Sequence, residues 1–99
     1  MIVIAGTVRI PTGALEKVRT AMEPLLNATR AEDGCIRYAF AQDVLDPDLI
    51  HVAEAWRDRE ALKAHFESPH MAEWRTAIGE IGAFDRDLRM FETDEGEPI

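Results

Sequence analysis

The stretch that decides the fold is Cys35–Trp56, which reads CIRYAFAQDVLDPDLIHVAEAW. Its first part, residues 35–43, alternates apolar and polar side chains in the manner of a strand, and residues 49–56 do the same. Between them, the Asp-Pro-Asp sequence at 46–48 supplies residues that favour a turn. The stretch therefore predicts an antiparallel β-hairpin, with Ile36, Tyr38 and Phe40 on one face of its first strand.

Strand and helix patterns continue on both sides of this hairpin. Apolar positions at helical spacing follow a Thr12 cap, and Asp58 is a good N-cap for another helix. Pro69 interrupts that second helix after Ser68. The predicted elements are a strand over 2–10, a helix to about 30, strands over 35–43 and 49–56, a helix to 68, a further helix, and a strand over 84–92.

The order β-α-β-β-α-β is typical of an α+β ferredoxin-like fold, with a four-stranded antiparallel sheet that carries its helices on one face. The strand over 2–10 begins with apolar residues on both faces, whereas the helices suffice to cover only one. A second copy is expected to cover the other face, sheet against sheet. The sequence thus predicts a homodimer.

Length and composition indicate one domain over 1–92, followed by a flexible acidic tail over 93–99. The formal charge of −8 disfavours binding to nucleic acid or to an anionic membrane surface. No apolar run is long enough to span a bilayer, and no signal-peptide pattern is present, so we expect a cytoplasmic protein. The single Cys35 is interpreted as a small buried hydrophobe, with a nucleophilic thiol as the alternative.

The residues that could carry chemistry concentrate in Glu54–Trp74, EAWRDREALKAHFESPHMAEW. Glu54 shares an apolar strand face with Trp56, and a carboxylate there requires a partner. That partner is expected to be a histidine or a backbone donor. The alternative is a position at the dimer seam or strand edge, where Glu54 pairs with an arginine.

Two histidines lie in the same stretch. His65 is a candidate general base or hydrogen-bond donor in an apolar pocket, and the alternative is a hydrogen-bonded core histidine. His70 follows Pro69, so it is expected near a helix N-terminus, where it can line the mouth of a pocket. Five residues is a poor helical spacing for two ligands of one metal, and the chain has no phosphate-binding loop, CxxC or HExxH. No metal or cofactor is expected.

Several large apolar side chains could line a flat cavity for an aromatic guest, although such residues at helical spacing also form ordinary cores. These residues are Tyr38, Trp56, Phe66, Met71 and Trp74.

Two segments of the chain resemble a known protein family: EDGCIRYAF at Glu32–Phe40 and EAWRDREALKAHFESPHM at Glu54–Met71. They resemble the antibiotic biosynthesis monooxygenase domain, especially its quinol monooxygenase members. The resemblance implies a dimeric α+β barrel. It also implies oxidation of a phenolic or quinol-like aromatic substrate by dioxygen, without metal, flavin or haem.

Under this resemblance, His65 would transfer a proton, Glu54 would orient a histidine, and the five apolar side chains together with His70 would surround the substrate ring. A haem role is disfavoured, because His65 stands where haem-degrading relatives carry a tryptophan. The fold hosts other functions as well. A non-catalytic small-molecule binding or stress module, and an isomerase of a small oxygenated metabolite, are the alternatives.

Overall fold

A computed structural model describes all residues from 1 to 99 and has the predicted order of elements. The four strands form one antiparallel sheet in the order β2-β3-β1-β4, so the fold is ferredoxin-like α+β. The predicted hairpin is confirmed as the β2–β3 pair. The elements are β1 (Ile2–Arg9), α1 (Leu15–Arg30), β2 (Cys35–Gln42), β3 (Leu49–Trp56), α2 (Arg59–Phe66), α3 (Pro69–Ile81) and β4 (Phe84–Glu92).

One of the two predicted helix caps is confirmed, and Ser68 provides a cap that was not predicted. Asp58 accepts a hydrogen bond from the backbone N–H of Ala61 at the start of α2, and Ser68 does the same for α3. The Thr12 cap is wrong, because α1 begins at Leu15 and Thr12 Oγ1 instead donates to Asp48 in the β2–β3 turn at 2.8 Å. Thr12 therefore ties the start of α1 to the hairpin.

The core lies between the sheet and the helices. Along β3, every second side chain from Ile50 to Trp56 is buried, and these face the same side as Ile2 and Ile4 of β1. Val18 and Leu25 of α1 are buried against this side. The apolar residues repeat every second position in the strands and about every 3.6 positions in the helix, so the apolar faces of both pack together in one layer.

The other face of the sheet carries no helix. Its middle row consists of Ala5, Ala53 and Ala39, which are directly paired across β1, β3 and β2. Val3 of β1 and Phe91 of β4 are paired on the same face, and Phe91 is half exposed. The centre of this face therefore carries small side chains and has no helix over it.

Irregularities in β2 and β4 change which side chains share a face of the sheet. A register shift between Cys35 and Arg37 turns Ile36 outward, so Ile36 is 58% exposed and does not share the buried face of Tyr38. A second shift lies in β4, where Phe84 pairs with Arg9 out of step with the rest of the strand. Period-two patterns cannot detect a bulge, because the extra residue changes the phase of the alternation.

The chain ends in seven exposed residues, 93–99, that form neither helix nor strand. Their flexibility stays a prediction. None of the helices is both long and apolar enough to cross a membrane.

Gly6 is the position in β1 where the backbone demands glycine. Its φ is +152°, and a Cβ built there would lie 1.9 Å from the carbonyl oxygen of Asp87 in β4. We expect Gly6→Ala to lower the free energy of unfolding by at least about 2 kcal/mol through overpacking and backbone strain. Chemical denaturation measures the change.

Gly79→Ala is the matched control, because Gly79 lies inside α3 and a Cβ there meets nothing within 4 Å. Alanine is the better helix former, so this variant should gain about 0.5–1 kcal/mol. Equal stabilities for the two variants would contradict the close β1–β4 approach.

Candidate active site

Three titratable side chains from three different elements meet at one end of the helical layer. His65 Nδ1 lies 2.6 Å from Glu32 Oε2, and His70 Nε2 lies 3.1 Å from the same oxygen. Glu32 belongs to the turn between α1 and β2, His65 to the last turn of α2, and His70 to the first turn of α3. The helix is interrupted at Ser68 and Pro69. This interruption separates α2 from α3 and allows both histidines to contact one carboxylate.

The contact with Glu32 fixes which nitrogen of His65 is free. A carboxylate accepts hydrogen bonds, so Nδ1 carries the proton and Nε2 has the lone pair. The side chain of His65 is fully buried, and Nε2 has no hydrogen-bond partner in the protein. Because buried polar atoms are nearly always paired, this unpaired acceptor points to a binding or catalytic role.

Burial lowers the pKa of His65, with smaller lowering contributions from His70 and Arg75, while the bond and charge of Glu32 raise it. The net result is a pKa below the ordinary value of about 6.5, so the ring is neutral near pH 7. The unfolded chain therefore takes up this proton more readily than the folded chain. Stability conferred by neutral His65 is present above pH 6.5 and decreases as the pH falls toward the folded-state pKa.

Glu54 lies on the same side of the sheet and has a different partner from the one expected. Its Oε1 accepts a hydrogen bond from the indole N–H of Trp56 at 3.0 Å, so the donor is neither a histidine nor the backbone. No arginine forms an ion pair with it, and it makes no hydrogen bond to His65. Burial raises the pKa of Glu54, and the Trp56 bond and the charge of Arg86 oppose this rise.

Aromatic rings surround His65. The centroid of its ring lies 4.6 Å from that of Trp56 and 5.2 Å from that of Tyr38, and both neighbours are buried. Burial, followed by the nearby charge of Glu54, raises the pKa of Tyr38 strongly, so its hydroxyl stays protonated. Phe66 is 5.9 Å from His65 by ring centroids but is half exposed, so it lies at the edge of this cluster.

The remaining predicted site residues lie at the border of the same region. Met71 and Trp74 are half buried and pack against the core from α3, where Trp74 stacks near Phe40 at 5.7 Å. The residues predicted for the site therefore do lie close together. Tyr38, Trp56 and His65, however, form part of a packed core and do not line an open cavity. A groove of about 660 Å³ lies elsewhere, between the start of α1 and the end of α3. A substrate reaches His65 only when the surrounding side chains move.

Glu32 is the functional candidate that sequence reasoning missed. It appeared only as part of a turn, although a histidine on an apolar helix face needs an acceptor, and this turn enters the strand that carries Tyr38. The only sequence signal for Glu32 was therefore that His65 needs a hydrogen-bond acceptor, and no motif around Glu32 itself indicates the role.

The same three residues each offer one possible metal ligand, with ligand atoms within 4.8 Å of one another. The spacing argument against a shared metal was wrong, because His65 and His70 lie on different helices. As the side chains stand, however, two ring nitrogens contact one carboxylate oxygen at hydrogen-bond distance, and a cation would have to displace Glu32. Cys35 adds no thiolate ligand, since burial and the charge of Glu32 raise its pKa.

The proton positions on the histidines can be read by NMR. At neutral pH we expect His65 to carry its proton on Nδ1 and to titrate below 6.5, because burial disfavours the cation. Glu32→Gln removes an anion that raises the pKa and should lower it further. His51 is the internal control: its Nε2 lies 2.8 Å from Asp43 and should carry the proton. A His65 protonated on Nε2 would contradict the geometry.

Comparison with known proteins agrees with this architecture. The same fold occurs in a Deinococcus radiodurans protein provisionally assigned to the antibiotic biosynthesis monooxygenases. The TM-score is 0.90 at 24% identity, over 100% of this chain and 98% of that one. A Mycobacterium tuberculosis protein provisionally named a monooxygenase is 34% identical over 68 residues, which are 69% of this chain and 66% of that protein. Its solved structure gives a TM-score of 0.76 over 97% of both chains, at 28% identity.

A cyanobacterial relative extends the likeness over nearly the whole chain. It is an uncharacterized Synechocystis protein, 26% identical over 98 residues, or 99% of this chain and 67% of its own length. The chain thus spans about two thirds of both of these curated relatives. The sequence pattern of the family described as antibiotic biosynthesis monooxygenase matches residues 1–77. The chain belongs to the antibiotic biosynthesis monooxygenase family.

Proposed function

We propose that the protein is a cofactor-independent monooxygenase that oxidises a quinol or a related phenolic aromatic with dioxygen. The observation that carries this proposal is the unpaired, buried Nε2 of His65. Glu32 orients this ring through Nδ1, and the rings of Tyr38 and Trp56 pack beside it. A neutral, oriented imidazole in an apolar environment is suited to take a proton. The single free Cys35 accords with a reducing, cytoplasmic location.

The chemistry requires little beyond that proton transfer. When His65 Nε2 accepts a proton from the substrate, the ring becomes an electron-rich anion, and Glu32 stabilises the imidazolium through Nδ1. The anion then reduces dioxygen. With an anthrone, for example, one carbon loses two hydrogens and gains one oxygen atom, while the second oxygen atom leaves with those hydrogens as water.

The other side chains have supporting roles in this proposal. Trp56 holds Glu54 in place, and we assign to this buried carboxyl group a hydrogen bond to the substrate. Tyr38, Trp56 and Phe66 bound the ring on the sheet and α2 sides. Met71, Trp74 and His70 bound it from α3, once the packed rings have moved to admit the substrate.

Oxygen uptake in the presence of reduced menadione or an anthrone tests the proposal. We expect His65→Gln to lower turnover per folded molecule about a hundredfold or more, the usual scale for a lost general base. Glutamine retains a side chain of comparable length, which matters because His65 is fully buried and truncation to alanine would leave a cavity.

The control is His51→Gln, which breaks a second histidine–carboxylate contact, at Asp43, on the helix-free face of the sheet. This variant should keep the turnover of the unmodified protein. Full activity in folded His65→Gln would refute the catalytic assignment. Aromatic binding without oxygen uptake would instead favour a binding module, and proton exchange on the bound compound without oxygen uptake would favour an isomerase.

We also propose that the protein is a homodimer that pairs through the helix-free face of the sheet. The alanine row formed by Ala5, Ala53 and Ala39 lets a second sheet approach closely, and Phe91 supplies a half-exposed apolar side chain beside it. An uncovered apolar row at the centre of a sheet, with polar side chains such as His51 and Arg89 around it, is typical of an interaction surface.

Sedimentation at micromolar concentration should give twice the chain mass of 11.1 kDa. Ala53→Arg places a charge in the centre of the alanine row and should produce monomers, because the charge would be buried unpaired between the sheets. Ala72→Arg, on the exposed surface of α3, should leave the dimer intact. A monomeric unmodified chain would remove this part of the proposal.

A further inference from the structure

The irregular part of β4 lies beside the candidate site and contains a strained residue. Thr7 pairs with Asp87 and Arg9 pairs with Phe84, so two residues, Asp85 and Arg86, stand opposite one residue of β1. Asp85 has a φ of +49°, in the left-handed region that is uncommon for residues other than glycine. Bulges of this type redirect side chains and are common next to active sites.

The pairing shows which face the redirected side chain shares. Leu88 is paired with Gly6, and Met90 is paired with Ile4, whose partner on the other side is Glu54. Leu88, Met90 and Glu54 therefore project from the helix-bearing face. The change of phase in the bulge falls at Asp85, which has the left-handed conformation, so Arg86, on the side of the bulge that leads into Asp87 and Leu88, stays in phase with Leu88. Between Arg86 and β3 lies β1, which at Gly6 has no side chain to obstruct a long arginine.

Arg86 is free to bind a ligand. Its guanidinium forms no ion pair and no hydrogen bond within the protein, and the side chain is exposed. Arg89 on the same strand, by contrast, contacts Asp87 at 3.4 Å. The charge of Arg86 nevertheless acts on the site, because it opposes the rise in the pKa of both Glu54 and Tyr38.

We propose that Arg86 is the anion-recognising residue of this site, and that it binds the oxygen of a deprotonated phenolic ring. Its ligand is a flat aromatic anion: the half-exposed Met90 and the adjacent Leu88 offer apolar surface to the ring, while the guanidinium donates to the oxygen. An arginine suits this task because its charge persists at every relevant pH and its donors form charge-assisted hydrogen bonds. The inference rests on the proposed function, in which His65 generates such an anion.

The test uses 4-nitrophenol, whose neutral and anionic forms differ in visible absorbance, so that binding of each form is measured without turnover. The full-length protein should bind the anion in preference to the neutral form. Arg86→Gln should weaken anion binding about tenfold to a hundredfold, the scale of one lost charged hydrogen bond, while binding of the neutral form changes little. Arg86→Lys should restore part of the preference.

Arg89→Gln is the matched control, since Arg89 lies on the same strand but pairs with Ala5 on the opposite face. It should bind the anion as the unmodified protein does. The proposal is overturned if Arg86→Gln keeps the preference, if both arginine variants lose it equally, or if the protein binds neither form. Because this readout needs no oxygen, anion binding without oxygen uptake would refute the proposed oxygenation and leave the role of Arg86 standing.

Discussion

The hydrogen bond between Glu32 and His65 is the interaction on which the candidate site depends. At 2.6 Å it joins a turn that precedes β2 to the last turn of α2, two parts of the chain that are 33 residues apart. It determines the tautomer of His65 and thereby leaves a bare nitrogen among aromatic rings. His70 holds the same carboxylate from α3, so three elements must be in register before this nitrogen points inward.

The energetics of the site indicate that it was not selected for stability alone. Glu54 and His65 are both buried, and burial shifts the pKa of each toward its neutral form. Apolar residues of similar size would avoid the desolvation of these groups and the unpaired Nε2. Ordinary core residues such as Ile4 and Leu25 surround them without any such penalty. Polar groups kept at that cost are typical of functional sites.

Sequence reasoning succeeded where the cause of a structure is local. The hairpin, the cap at Asp58, the helix interruption after Ser68 and the order of elements follow from neighbouring residues, and the structure confirms them. It failed at Ile36, where a bulge changes the phase of the strand, and at Glu32, whose importance comes from a distant histidine. Pairings across the fold leave little trace in a local pattern.

The site can be described as a polar path through an apolar layer, with its two ends on opposite sides of the helical face. At one end Glu32 and His70 are partly exposed beside α3, and at the other Arg86 lies in the bulge of β4, from where its charge acts on Glu54. Each end required irregular backbone: a break between two helices, and a strained residue at Asp85. The regular strands and helices form the apolar framework, and the charged groups stand where this regular structure is interrupted. This division explains why the frame was predictable from periodicity and why the groups at its two ends were not.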